Sequence, residues 1–274
     1  MKPGSVAHVT DGALPAPPAG DVVVVIPAYN EAARIGAAVR AAKTLPAVRS
    51  VLVVDDGSSD GNAAAAVDAG SDAVAVFRRN KGKGAAMAAG AARAFQDGGC
   101  RYVLFLDADL CETAGNAGPL IEAVRAGDTA MAVARVPAQP GGGHGFVVRL
   151  ARDGVKRACG FEAEQPLSGQ RCMTREAFEA ALPLARRFGV EVGLTIDLVR
   201  VGFSVAEVPA DLRHRVTGTD RQAQLHRARQ YRDVAVALAV RRLSRLSAFG
   251  AFSAFTGLSG VSRLRSRPAR RPKR

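Results

Sequence analysis

The sequence predicts an α/β fold in which a mostly parallel sheet is covered by helices on both faces. In the first half of the 274-residue chain, short runs of Val, Ile and Leu alternate with Ala-rich segments of helical length. Continuous apolar strands separated by crossover helices are typical of such sheets. Several of these runs end in acidic, basic or glycine-rich clusters, and ligands of these sheets bind at the carboxyl ends of the strands.

The first half of the chain supplies most of the predicted sheet. The apolar runs predict strands at Val22–Ile26, Val51–Val54, Ala73–Phe77, Tyr102–Leu106 and Thr129–Ala134. The Ala-rich or amphipathic segments between them predict helices at Glu31–Leu45, Gly61–Ala69, Gly84–Phe95 and Asn116–Ala126.

The second half is less regular. Its patterns predict helices at Phe146–Cys159, Arg175–Leu182 and Glu191–Val201, a late strand at Ser204–Val208, and a long basic amphipathic helix at Arg221–Leu246. Gln139–Gly145, with the sequence QPGGGHG, is expected to be a flexible loop placed where it could gate a site.

Composition divides the chain into three parts. Residues 1–20 are rich in Pro, Gly and Ala and are expected to be a disordered lead-in, because they lack the basic start and apolar run of a signal peptide. Residues 21–245 form one predicted domain, and residues 246–274 a flexible basic tail. The four cysteines show no CxxC spacing, which favours reduced thiols and a cytoplasmic location.

The net charge of +13 is largely a property of the tail. Residues 263–274 carry seven basic residues and no acid. Such a tail is suited to peripheral contact with an anionic membrane. The chain has no Trp and does not interleave aromatic with basic residues, so we expect no nucleic-acid partner.

Asp107 and Asp109 carry the strongest chemical signal. They follow the apolar run Tyr102–Leu106 and are two residues apart, so in extended backbone both carboxylates would point to the same side. Carboxylates held that close repel each other unless a cation lies between them. Mg²⁺ or Mn²⁺ is the usual cation, and such ions bridge substrate phosphates.

Three further clusters follow predicted strands: Pro27–Glu31, Asp55–Gly61 and Asn80–Gly84. Each by itself is ordinary turn or loop chemistry, and the last is neither a Walker A sequence nor a GxGxxG fingerprint. Glycines and a lysine before a helix do suit a phosphate group. Because parallel strands bring all the clusters to one edge of the sheet, their conjunction predicts a site there.

Together these motifs resemble family 2 glycosyltransferases with the Rossmann-like GT-A fold. The matching segments are VVVVIPAYNEAARI, VLVVDDGSSDG, NKGKGAAM and LFLDADL. The resemblance implies that Lys83 lies near the nucleotide and that Asp107 and Asp109 form the metal-binding DXD motif, with Asp109 ligating the ion. It also implies that five residues grip the nucleoside: Pro27, Ala28, Tyr29, Glu31 and Asp56.

The second half is similar to glucosyl-3-phosphoglycerate synthases. The similarity lies in Gln165–Gln170 (QPLSGQ), in Phe188–Asp197 (FGVEVGLTID) and in the context Leu212–Arg215 (LRHR), which implies that His214 is a further metal ligand. Two features depart from that pattern. Position 170 is Gln where the synthases carry an acid, and their phosphoglycerate-binding loop has no clear match.

The implied reaction is metal-dependent transfer of a hexosyl group, expected to be glucose, from UDP-glucose or a similar nucleotide sugar. The acceptor would be a small phosphorylated compound such as 3-phosphoglycerate; the alternative is a polyprenyl phosphate, as in dolichyl-phosphate mannose synthases. Glu191 would orient the acceptor hydroxyl or act as its base, and Lys83, Arg171 and Arg215 would add positive charge at the diphosphate. A homodimer is a further expected assembly.

Two other classes of protein fit less well. A nucleotidyltransferase would carry a Gly-rich basic loop after the first strand, where this chain has Pro27–Glu31. A catalytically inactive membrane-surface module would have no need of the acidic pair or of His214.

Overall fold

The computed structural model describes residues 20–96, 98–137, 145–214 and 221–256; in the last helix, side chains are described at 224–225 and 227–243. Most of the predicted lead-in and of the predicted gating loop lies outside these ranges, as does the end of the basic tail from residue 257 onward.

Seven strands in the described residues form one sheet. They are Val22–Ala28 (β1), Val48–Asp55 (β2), Ala73–Val76 (β3), Tyr102–Phe105 (β4), Met131–Arg135 (β5), Arg171–Thr174 (β6) and Val205–Pro209 (β7). The strand order is β3-β2-β1-β4-β6-β5-β7. β6 runs antiparallel to both of its neighbours, and the other pairings are parallel. The predicted mostly parallel sheet is therefore confirmed, with β6 as a strand that the sequence patterns did not predict.

Eight α-helices and two 3₁₀ segments are described around the sheet. The α-helices are Ala32–Ala42 (α1), Asn62–Asp68 (α2), Lys83–Gln96 (α3), Gly118–Arg125 (α4), Phe146–Cys159 (α5), Arg175–Ala180 (α6), Val190–Arg200 (α7) and Arg221–Thr256 (α8). The 3₁₀ segments are Ala108–Asn116 and Arg187–Gly189. α8 continues past its predicted end at Leu246, and within the described chain no helix combines the length and apolar character of a membrane span.

Alternate residues of the central strands point to opposite faces of the sheet, so each strand contributes to two cores. Val24 and Ile26 of β1 lie in the core beneath α1 and α4, whereas Val23 and Val25 lie in the core beneath α3 and α7. A third, smaller cluster joins α5, α7 and α8, with Val155, Ile196 and Val234 at its centre. This cluster anchors α8 beside the carboxyl ends of β1 and β4.

The chain reverses its direction of travel across the sheet between β1 and β4. From β1 it moves outward through β2 to β3 and then returns to place β4 on the other side of β1. The segments that follow β1 and β4 diverge at such a point and leave a crevice outside the carboxyl ends of the two strands. The fold therefore places Pro27–Glu31 and Asp107–Asp109 on the walls of one crevice.

We predict that Gly90→Ala destabilises the protein, because α3 lies unusually close to the sheet at this position. A Cβ at residue 90 would collide with Cγ1 of Val25 and lie 3.1 Å from Cγ2 of Val54. Overpacking a core costs about 1–3 kcal/mol, which outweighs the gain of about 1 kcal/mol in helix propensity. Urea unfolding measures the change. Gly118→Ala is the matched control, since nothing lies within 4 Å of a Cβ there; equal stability of the two variants would contradict the prediction.

Candidate active site

The crevice at the carboxyl ends of β1, β2 and β4 is a cleft of about 500 Å³. Apart from Arg171 and Arg215, nine of the ten predicted site residues line it: Pro27, Ala28, Tyr29, Glu31, Asp56, Lys83, Asp107, Asp109 and Glu191. The tenth, His214, lies in the segment that follows β7 and contacts Asp109. Residues far apart in the sequence thus meet in one place.

Asp56 holds the loop before α3. Its two carboxylate oxygens accept the backbone N–H groups of Lys81 at 2.6 Å and Gly82 at 2.7 Å. Gly82 has φ of +92°, a backbone conformation that favours glycine, and a Cβ there would press on Arg187. Asp56 therefore lines the cleft and also fixes the loop from which Lys83 projects.

Lys83 joins two acidic residues that come from different elements. Its ammonium lies 2.7 Å from Asp107, after β4, and 3.0 Å from Glu191, in the first turn of α7. Burial by itself would lower the pKa of Lys83, but attraction to Asp107 and Glu191 outweighs it, so the pKa is raised above its usual range. Lys83 therefore stays charged and holds both carboxylates in place.

Asp107 stays ionised because its cationic neighbours favour the charged form of the carboxyl. Burial would raise the pKa of this carboxyl, yet the charges of Lys83 and His214, together with hydrogen bonds from Lys83 and Gln170, lower it below the usual range. The Nε2 group of Gln170 donates to Asp107 Oδ2 at 2.8 Å.

Asp107, Asp109 and His214 form the candidate metal site. One ligand atom from each lies within 4.8 Å of the others. Asp109 Oδ1 lies 3.2 Å from His214 Nδ1. Two carboxylates and an imidazole are a donor set that suits Mn²⁺ or Mg²⁺ completed by oxygen atoms of phosphate or water. The residues present therefore fit the predicted divalent ion.

The backbone of the acidic pair differs from the prediction. Asp107 is extended, with φ of −83° and ψ of 145°, but Asp109 already lies in the first turn of the 3₁₀ segment Ala108–Asn116. The two carboxylates converge because the chain turns between them and not because both residues lie in extended backbone.

Arg171 is not at the cleft, so the prediction that it adds charge to the diphosphate is wrong. Its guanidinium is fully buried, donates to Thr195 Oγ1 at 2.9 Å and to the carbonyls of Ser168 and Pro166, and has its pKa lowered by burial to about 10. Arg215, the other predicted cation, lies outside the described residues.

Several cleft residues were not predicted from the sequence. Their side chains come from the segment after α6 and from α8: Arg187, Phe188, Arg229, Gln230 and Asp233. Asp233 is the only acid among the seven arginines of α8, and this contrast in charge was the one available signal. In the sequence, Gln170 stands out only as a departure from the pattern of the synthases, although it contacts both Asp107 and His214.

Comparisons with known proteins agree on glycosyltransferases. The model described as glycosyl transferase family 2 matches residues 23–177. A curated relative, Glycosyltransferase AglJ of Haloferax volcanii, is 31% identical over 215 residues, which cover 76% of this chain and 67% of that protein.

Solved structures of glucosyl-3-phosphoglycerate synthase from Mycobacterium tuberculosis are similar over most of the chain. The complex with Mn²⁺, UDP and glucosyl-3-phosphoglycerate has a TM-score of 0.67 and 26% identity, covering 81% of this chain and 80% of that one. The complex with Mg²⁺ and UDP also has a TM-score of 0.67, with 25% identity and 81% and 79% coverage. These likenesses confirm the predicted GT-A fold.

We predict that His214 stabilises the metal-free protein more at low pH than at high pH. Burial would lower the pKa of His214, but its hydrogen bond to Asp109 and the charges of Asp107 and Asp109 raise it. A pKa that is raised on folding gives stability that is complete below the unfolded pKa of about 6.5 and is lost as the pH rises through the folded pKa.

The measurement is urea unfolding of the wild type and His214→Gln in EDTA, at about pH 6 and about pH 9. We expect the free energy of unfolding to differ more between the two proteins at the lower pH. The shift at Asp107 does not interfere, because a lowered carboxyl pKa matters only near and below about pH 4. A difference that stays constant or grows toward pH 9 would refute the assignment.

Proposed function

The chain belongs to glycosyl transferase family 2 and is a nucleotide-sugar-dependent glycosyltransferase, and from this premise we propose its substrates. We propose that it transfers a glucosyl group from a UDP-sugar to a small phosphorylated acceptor such as 3-phosphoglycerate. The observation that carries the proposal is the cluster of Asp107, Asp109 and His214 beside Lys83, at the point where β1 and β4 diverge. Similar structures bind UDP with Mn²⁺ or Mg²⁺.

In this proposal the nucleoside lies along the segment Pro27–Glu31. Tyr29 is half exposed at the cleft and offers an aromatic face to the base. Asp56 is largely buried, and although both oxygens accept backbone N–H groups, a carboxylate oxygen has a second lone pair with which to accept an N–H of the base.

Asp109 and His214, with Asp107, would hold Mg²⁺ or Mn²⁺ in the proposed site. The bound ion would supply positive charge to the diphosphate as it leaves. Lys83 adds the protein's own positive charge at the same place, since it lies 2.7 Å from Asp107. His214 has to lose its proton before it can bind an ion.

Glu191 is placed to orient a hydroxyl. It is almost fully buried, and the ammonium of Lys83 lies 3.0 Å from its Oε1. A carboxylate in such an ion pair accepts hydrogen bonds from hydroxyl groups. We therefore propose that Glu191 accepts a hydrogen bond from a hydroxyl of the sugar or of the acceptor.

A second acceptor class is favoured by one observation. Beyond Leu167 and His214 lies a separate groove of about 360 Å³, whose described lining is mainly apolar: Val136, Pro137, Val148, Pro166 and Leu167. A charged phosphoglycerate gains little from such walls, whereas a hydrocarbon chain is stabilised by the burial of its surface. The groove therefore supports a polyprenyl phosphate as the alternative acceptor.

We predict that Asp109→Ala lowers transfer from the UDP-sugar by about 100-fold or more, because charge stabilisation at the leaving group is lost. Turnover is measured with saturating Mn²⁺, and far-UV circular dichroism checks the fold. Asp128→Ala, which removes an exposed carboxylate that does not line the cleft, is the matched control. Unchanged turnover in Asp109→Ala would remove the metal from the proposal.

The acceptor is tested by incubating the protein and Mg²⁺ with UDP- and GDP-sugars and offering 3-phosphoglycerate and a short polyprenyl phosphate in parallel. Mass spectrometry identifies the products, and we expect glucosylated phosphoglycerate from UDP-glucose.

If the lipid is the acceptor instead, Val148→Asp should lower transfer to it by about tenfold or more, because the variant places a charge in the apolar groove. UDP affinity reports whether the donor cleft of that variant is intact. If neither acceptor yields a product, both assignments are refuted.

A further inference from the structure

Gln170 lies beneath the candidate metal site and joins two of its three members. The residue is fully buried, immediately before β6. Its Nε2 donates to Asp107 Oδ2 at 2.8 Å, and its Oε1 lies 3.2 Å from His214 Nε2. The hydroxyl of Ser168 is also 3.2 Å from this Oε1. Each end of the amide therefore has a polar neighbour.

The direction of the amide follows from the chemistry of its neighbours. An ionised carboxylate only accepts hydrogen bonds, so the amide nitrogen has to face Asp107. The amide oxygen then faces His214, and because an amide oxygen also only accepts, the ring Nε2 of His214 has to carry a hydrogen. A neutral imidazole carries one ring hydrogen, which leaves the lone pair on Nδ1. Nδ1 is the nitrogen that lies 3.2 Å from Asp109 Oδ1.

We infer that Gln170 is a positioning residue: its amide fixes the tautomer of His214 so that Nδ1, beside Asp109, is the nitrogen presented to the divalent ion. The inference rests on the proposed metal site and goes beyond it, because it assigns the ligating nitrogen and the residue that selects it. Histidines that bind metals generally donate their other N–H to a fixed acceptor, which sets the ring orientation and raises the basicity of the ligand.

The same amide restrains Asp107 without adding charge. A glutamate at position 170 could still accept from His214 Nε2, but it would face the carboxylate of Asp107 as a like charge. A methionine of similar length has neither an amide nor a carboxylate, so it would lose the contacts with both His214 and Asp107. The two substitutions therefore separate the interaction with His214 from the interaction with Asp107.

The first test is the affinity for Mn²⁺, measured by electron paramagnetic resonance of the free ion in protein–UDP mixtures at about pH 8, with UDP alone as the blank. We expect Gln170→Met to weaken binding by about 10- to 100-fold. Gln165→Met is the matched control: Gln165 lies on the same loop and bonds the backbone of Val136, away from the acidic pair. We expect this control to bind Mn²⁺ as the wild type does, because the contacts of Glu207 with the backbone of Gln165 and of Arg171 with Ser168 still hold the loop.

Equal affinity in the wild type and Gln170→Met would overturn the inference and leave the metal site standing. Equal losses in Gln170→Met and Gln165→Met would overturn it as well, since they would show a general effect of disturbing the loop. A wild type that binds no Mn²⁺ beyond the UDP blank would overturn the metal site and the inference together.

The second test is direct and needs no altered protein. ¹⁵N-edited NMR of the histidine rings, with saturating Mg²⁺ and UDP at about pH 8, distinguishes the two tautomers, and the spectrum of His214→Gln assigns the signals. We expect the hydrogen of His214 on Nε2 in the wild type and in Gln170→Glu, which keeps the acceptor. A hydrogen on Nδ1 in the wild type would overturn the inference, as would loss of the Nε2 hydrogen in Gln170→Glu.

Discussion

Repulsion among carboxylates is the constraint around which the cleft is built. Asp107, Asp109 and Glu191 approach one another in a partly buried space, where like charges are costly. Two basic side chains offset this repulsion. Lys83 forms ion pairs with Asp107 and Glu191, and the imidazole of His214 contacts Asp109. Because these three contacts join the segment after β4 to α3, α7 and the segment after β7, the charge balance also ties distant parts of the chain together.

This balance makes the candidate metal ligands unequal. Lys83 lowers the pKa of Asp107, so that this carboxylate is ready to bind an ion at neutral pH. The neighbours of His214 raise the pKa of its imidazole, so a protonated ring would have to give up its proton before it could bind an ion. In the proposed site, a divalent ion would thus replace one positive charge on the protein with a larger one at nearly the same point. The carboxylates are balanced in both states.

The site residues from the first half of the chain can be predicted because short stretches of sequence are enough to locate them. Each cluster follows its own apolar run, and parallel strands bring such clusters to one edge without further assumptions. The second half cannot be predicted in the same way. β6 is only four residues long and begins with Arg171, so neither its length nor its composition indicates a strand. Arg171 itself was expected at the phosphates, but the carbonyls of the loop before it satisfy its guanidinium inside the core.

The loop at 165–170 shows what the antiparallel strand contributes. Gln165 bonds both backbone groups of Val136, the Glu207 carboxylate accepts the backbone N–H of Gln165, and Arg171 holds the other end. The loop so fixed passes close to the ion pair of Lys83 and Asp107, and a Cβ at Gly169 would collide with the ammonium of Lys83 and lie 2.6 Å from Asp107 Oδ2. A side chain at position 169 would therefore push Lys83 away from the carboxylates that it balances. The glycine leaves room for the ion pair of Lys83 and Asp107, and the glutamine after it contacts both Asp107 and His214.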